Sequence, residues 1–190
     1  MAVRVLILLI AAVLAGASSV SIADLDGQLR HPLAPARRAG LLLFVTTDCP
    51  ISNSYAVEIS RVCADYASRG VDCLLLYEDA RVTTDAVRAH REAYGFGRLP
   101  AAVDRERTVA SAVGASITPE AAVIDRDGTI QYRGRIDDLF IDLRRRRPAA
   151  RTHDVRDALD AVLAGARVVN PRTSALGCYI APPWHEKESR

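Results

Sequence analysis

Leu41-Leu42-Leu43-Phe44-Val45-Thr46-Thr47-Asp48-Cys49-Pro50-Ile51-Ser52-Asn53-Ser54 is the stretch on which the fold turns. Its first five residues form a continuous apolar, β-compatible run, the pattern of a strand buried on both faces. The polar turn that follows ends in Cys49-Pro50, and proline suits the first helical position, where its missing N–H costs nothing. Cys49 therefore falls at or beside a helix N-cap. The positive end of a helix favours thiolate there, while the Asp48 carboxylate next door opposes it. The residues alone leave two readings open, a reactive thiol or a small apolar residue tucked under a helix start.

Downstream, Ile51, Tyr55, Ile59, Val62, Cys63 and Tyr66 recur at helical spacing, which predicts one amphipathic helix to about Arg69, ended by Gly70. Val71 to Tyr77 reads as a second buried strand, and Thr83 or Thr84 caps a helix to about Tyr94. Leu99 to Val103 is a third strand and Arg107 to Val113 a short helix. Ala121 to Ile124 and Thr129 to Tyr132 then flank Asp127-Gly128 as an antiparallel hairpin. A last helix begins near His153. Upstream, Val20, Ile22 and Leu25 around Asp26-Gly27 give a small N-terminal hairpin. Alternating elements followed by a hairpin describe an α/β fold with a mixed sheet and helices on both faces.

The whole chain narrows the function classes. Its 190 residues, 49% hydrophobic, suit one domain with a proper core. A net charge of +2, without basic residues interleaved with aromatics, argues against a nucleic-acid partner. Arg4, the apolar stretch Val5 to Leu14 and Ala15-Gly16-Ala17 describe a signal peptide over residues 1–17. An uncleaved anchor is the alternative. Removal of the leader leaves no stable membrane span and places the mature chain in a periplasmic or secreted, oxidising compartment. The mature chain divides into a domain at 18–166 and a tail at 167–190 carrying Cys178.

Cys49-Pro50 at a helix start, Thr46 three residues before it, and Thr118-Pro119 ahead of a hairpin with Asp125-x-Asp127-Gly128 together resemble the thioredoxin fold. More narrowly, Thr46-x-x-Cys49-Pro50 and Pro119 to Asp125 resemble the redoxins of the alkyl hydroperoxide reductase and thiol-specific antioxidant superfamily. Asp48 to Asn53 with the late Gly177-Cys178 is similar to exported bacterial redoxin-domain proteins. The resemblance implies a three-layer thioredoxin-like fold with an N-terminal hairpin extension. It also implies a cis Pro119 beside Cys49, offering backbone hydrogen bonds to a bound peptide.

The departures are as informative. Ser52 stands where a thioredoxin carries its resolving thiol. Leu42 occupies the peroxiredoxin proline place and Thr118 the arginine place, so that Arg133 or Arg135 would have to serve a peroxide. The activity implied is thiol–disulfide exchange without a cofactor, with Cys49 as the nucleophile. Cys178 lies in a tail beyond the completed domain, where a free thiol is a liability in an oxidising compartment, so the tail is expected to fold back and bring it to Cys49 as resolving thiol or lasting disulfide, the alternative being an intermolecular or unpaired thiol. Thr46 and Ser52 complete the catalytic set, Ser52 and Asn53 bonding the sulfur. Pro50, Asn53, Thr118 and Pro119 would bind a protein or small-molecule thiol or disulfide, with an external reductant closing the cycle. The rivals are a weak thiol peroxidase, and a non-catalytic binding module with a Cys49–Cys178 disulfide or a copper ion held by Cys49, Cys178 and His153. Cys63 and Cys73 are either a structural disulfide or two buried thiols. The exchange reading requires the Cys49 sulfur to be reachable at the rim of the sheet, beside Pro119.

Overall fold

The computed structural model describes residues 20–181, so the expected leader at 1–17 lies outside the described residues. The elements in order are β1 (Ile22–Ala23), β2 (Leu29–Arg30), β3 (Ala39–Val45), α1 (Pro50–Ser54), α2 (Ala56–Ala67), β4 (Val71–Tyr77), α3 (Thr84–Ala93), β5 (Ala101–Val103) and α4 (Thr108–Val113). They continue as β6 (Ile117–Thr118), β7 (Glu120–Asp125), β8 (Ile130–Gly134), β9 (Phe140–Asp142), β10 (Arg145–Arg146), α5 (Asp154–Leu163) and β11 (Cys178–Tyr179).

Five strands form the central sheet in the order β5-β4-β3-β7-β8. β3 pairs in parallel with β4 and antiparallel with β7, so the sheet is mixed and every residue of β3 is buried. Successive side chains alternate between faces. Leu41, Leu43 and Val45 join Ile59, Val62, Val87, Val155 and Leu159 of α2, α3 and α5 on one face. Leu42 and Phe44 join Val109, Ala110 and Val113 of α4 on the other. Both faces are thus covered, as the unbroken apolar run of β3 requires. The N-terminal hairpin forms too, β1 against β2, held by the buried Asp24 carboxylate, which accepts from the N–H groups of Asp26 and Gln28 and pairs with Arg30.

One expected helix is two. The stretch after Cys49 breaks at Tyr55, whose hydroxyl donates to the Asp137 carboxylate at 2.6 Å. The five-residue α1 is consequently a short platform for Cys49 rather than the start of a long dipole. Cys63 of α2 and Cys73 of β4 are bridged, with Cα atoms 5.9 Å apart, inside the 4.4–6.8 Å range a disulfide requires. That bridge ties α2 to the strand that follows it.

Candidate active site

Strand β3 delivers the cysteine turn to the edge of the sheet, and Cys49 is the N-cap of α1, its sulfur accepting from the Ser52 N–H at 3.5 Å. The Thr118–Pro119 peptide is cis and brings the Thr118 carbonyl to 3.2 Å from that sulfur, where it accepts from the Cys49 thiol. Thr46 Oγ1 lies 3.3 Å from Thr118 Oγ1, joining the two loops on the sheet side.

The tail supplies the fourth member. β11 pairs antiparallel with β6, with Cys178 opposite Thr118 and Tyr179 opposite Ile117. The Cys178 and Cys49 sulfurs lie 2.6 Å apart with both cysteines free, about half an ångström beyond a bonded S–S distance. Burial, the contact with Cys49 and the nearby Asp48 charge push the Cys178 thiol up to about 12. Cys178 therefore keeps its proton and donates toward Cys49. Sequence separation of 129 residues is closed here by a two-residue strand pair.

The tail also changes one expectation. Cys49 is 0% exposed, so its sulfur is not reachable at the sheet rim. It lies beside Pro119 as expected, but under Cys178, and the strap bearing Cys178 is pinned at both ends. On one side Thr173 Oγ1 meets the Tyr132 hydroxyl at 2.6 Å and accepts from the Arg135 N–H. On the other, the Ile180 N–H donates to the Ser116 carbonyl, and its side chain is buried with Val109, Val113 and Ala115. Between these anchors Leu176 and Ser174 close a small hollow with Tyr55, Pro119 and Phe140. Cys178 and Tyr179 line a second cleft of about 390 Å³ with Thr46, Asp48, Glu78 and Asp79.

Asn53 does not bond the sulfur. Its amide donates to the Thr47 carbonyl at 3.1 Å, which leaves Oδ1 facing His90 Nε2 at 2.9 Å. His90 Nε2 must then be the donor, and Nδ1 accepts from the Tyr77 hydroxyl at 2.9 Å. This chain, Tyr77 to His90 to Asn53 to Thr47, braces the cysteine turn against β4 and α3. Burial holds the His90 imidazole below its usual range, in keeping with a neutral ring. Sequence reasoning passed over His90, although it shares the inward stripe of α3 with Val87.

Glu78 was missed as well. It follows β4, is 3% exposed, and neither carboxylate oxygen has a hydrogen-bond partner. Burial, and then the neighbouring Asp104, push it up to about 9. Only the abrupt end of an apolar strand at Tyr77-Glu78 hinted at it.

Two alternatives lose ground on this geometry. Arg133 is engaged by Glu120 and the Gly114 carbonyl, and Arg135 by Asp154, and neither bonds Cys49. Among the described residues no group of three His, Cys, Asp or Glu is placed to hold a metal ion, so His153 is not brought together with Cys49 and Cys178 as a copper site. His153 instead precedes α5 as its N-cap residue. Among the described residues no helix is long and apolar enough to cross a membrane.

Comparison with known proteins places these features in context. Residues 18–133 match the model of the AhpC/TSA family. No curated protein matches the chain. Among solved structures, a hypothetical protein from Sinorhizobium meliloti 1021 is 28% identical, with a TM-score of 0.71 over 87% of this chain and 91% of that one. An uncharacterized conserved protein from Geobacillus kaustophilus is 24% identical, with a TM-score of 0.73 over 88% and 89%. A secreted Mycobacterium tuberculosis disulfide oxidoreductase homologous to E. coli DsbE is 18% identical, with a TM-score of 0.53 over 77% and 96%. The central sheet, its helices and the cis proline are those of a thioredoxin-like redoxin.

Proposed function

The chain belongs to the AhpC/TSA family, and on that premise we propose that it is an exported thiol–disulfide oxidoreductase. Cys49 is the nucleophile and Cys178 the resolving thiol. The observation that carries this reading is the 2.6 Å approach of the two sulfurs beside the Thr118 carbonyl and the cis Pro119.

In the reaction the Cys49 thiolate attacks a substrate disulfide, forms a new S–S bond to one of its sulfurs and releases the other as a thiolate with the bonding pair. Cys178 passes its proton to the thiolate just released and attacks the Cys49 sulfur, forming an S–S bond to it. The substrate's second sulfur departs as a thiolate, and a Cys49–Cys178 disulfide remains. Two electrons have passed to the substrate, and an external dithiol returns the enzyme to its reduced form. Thr118 and Pro119 align the incoming segment, Thr46 fixes the Thr118 side chain, and the Ser52 N–H stabilises negative charge on Cys49.

Export is supported by the apolar leader ending in Ala15-Gly16-Ala17 and by the Cys63–Cys73 bridge, which persists in oxidising compartments. The test is reduction of an insulin-type disulfide by the mature chain and by Cys49→Ala. Loss of turnover in the variant is expected, and equal rates would rule the mechanism out. The complete burial of Cys49 favours one second reading, a lasting Cys49–Cys178 staple in a non-catalytic module. A reduction potential below about −300 mV, the range of structural disulfides, would select it.

A further inference from the structure

The cleft beside Cys49 is already filled by a peptide, and that peptide is part of the chain. Cys178–Tyr179 pair antiparallel with β6 and set a cysteine against the nucleophile, while Leu176, two residues earlier, lines a small hollow with Tyr55, Pro119 and Phe140. Pairing of an extended segment with an exposed strand supplies affinity through the backbone, while pockets for individual side chains supply selectivity. One position is selective in a further way. A Cβ on Gly177 would fall inside contact distance of the Thr118 carbonyl oxygen, 2.7 Å from its carbon and 3.2 Å from Pro119 Cδ. Only glycine lets a backbone approach so closely in this register.

We propose that this strap is an internal stand-in for the substrate, and that the foreign substrate is an extended segment presenting an apolar residue, glycine and a disulfide-bonded cysteine in succession. The inference rests on the thiol–disulfide exchange reading and names the substrate class of that site. Substrate and tail compete for the same edge. The tail leaves β6, the substrate strand takes its place, and its cysteine sulfur meets the Cys49 thiolate. An S–S bond forms between them as the substrate's own S–S bond breaks, its outer sulfur leaving as a thiolate. The returning tail then carries Cys178 to the Cys49 sulfur and expels the substrate thiolate.

The experiment uses the full chain carrying Cys178→Ser, so that the tail remains without its sulfur. The probes are a small aromatic disulfide, dithiobis(nitrobenzoate), and two peptides spanning residues 174–181, one native and one with alanine in place of glycine. Each peptide carries its cysteine as a mixed disulfide with thionitrobenzoate, whose release is followed. The glycine peptide should react at least about 10-fold faster than the alanine peptide, the factor of one or two lost backbone hydrogen bonds. Adding Gly177→Ala to the protein lifts the tail and should accelerate the glycine peptide by about 10-fold or more on the same reasoning. Equal peptide rates, with the small disulfide still reactive, overturn the substrate class and leave the exchange reading standing. Failure of all three probes to react with the folded chain, when the urea-unfolded chain reacts, overturns both. The peptide ratio on the Cys178→Ser chain decides the matter even if Gly177→Ala does not fold.

Discussion

Ile180→Ala should expose Cys49 without touching it. Ile180 is 6% exposed and is the apolar anchor that holds the strap down beyond Cys178, packed with Val109, Val113 and Ala115. The substitution removes three carbons, each worth about 0.8 kcal/mol when buried, so the docked tail loses about 2.4 kcal/mol relative to the open one. Since 1.4 kcal/mol is a factor of ten, the open population rises about 50-fold. The assay is alkylation of Cys49 by iodoacetamide in a Cys178→Ser background, where the Cys63–Cys73 pair is bridged and silent. When the tail re-docks faster than the reagent reacts, the observed rate is the opening equilibrium multiplied by the rate for an exposed thiol. Ile180→Ala should therefore be alkylated about 50-fold faster at the same pH, with unchanged circular dichroism. A rise of less than about threefold, well under one factor of ten, would refute the idea that the anchored tail is what covers the sulfur.

Three further outcomes follow from groups around the site. Glu78 has a folded-state pKa raised to about 9, so its contribution is present at low pH and is lost as pH rises from its ordinary value through 9. Glu78→Gln should be more stable than the wild type at pH 8 by on the order of 3 kcal/mol in urea unfolding, with the gap closing toward pH 5. His90 is shifted the other way, so the stability it supports is present above its ordinary value of about 6.5 and is lost as pH falls through the lowered folded value. His90→Gln should flatten the acid side of the stability profile and loosen the Cys49 turn, read as faster alkylation of Cys49. Cys63→Ser with Cys73→Ser should lower stability by about 2–3 kcal/mol in a urea titration, as expected for a short closed loop. The same double substitution should leave Cys49 alkylation unchanged, because the bridge joins α2 to β4 away from the tail.

The sheet was legible because its elements are local and periodic. Leu41 to Val45 could only be a strand covered on both sides, and it is the centre of the sheet. Gly70 and Gly114 ended elements where expected, and the 127–128 turn fell between β7 and β8. The cis Pro119 came from family resemblance rather than from the residues, since most X-Pro bonds are trans. A cysteine in a tail beyond the completed domain points to a partner, and the structure brings its sulfur to that of Cys49. The cost of this contact to access was not legible. Covering Cys49 depends on Thr173 and Ile180 pinning a strap through two-residue pairings, which leave no periodic trace in the sequence. The break at Tyr55 and the path from Tyr77 through His90 to Asn53 were hidden for a similar reason. Tyr55 is bonded to Asp137, 82 residues away, and the path consists of side-chain hydrogen bonds between separate elements, none of which follows a pattern along the chain.

The strap over Cys49 has a bearing on how the molecule comes into being. Residues 173–180 are far along the chain from the cysteine turn they cover, so a chain folding after export can complete its central sheet while Cys49 is still bare. In that interval an oxidising compartment holds three unpaired thiols besides Cys178, and Cys49 can be joined to Cys63 or Cys73 in place of their own bridge. Docking of the strap is thus a safeguard of correct pairing, and chains cut before residue 173 are the ones expected to accumulate crossed disulfides.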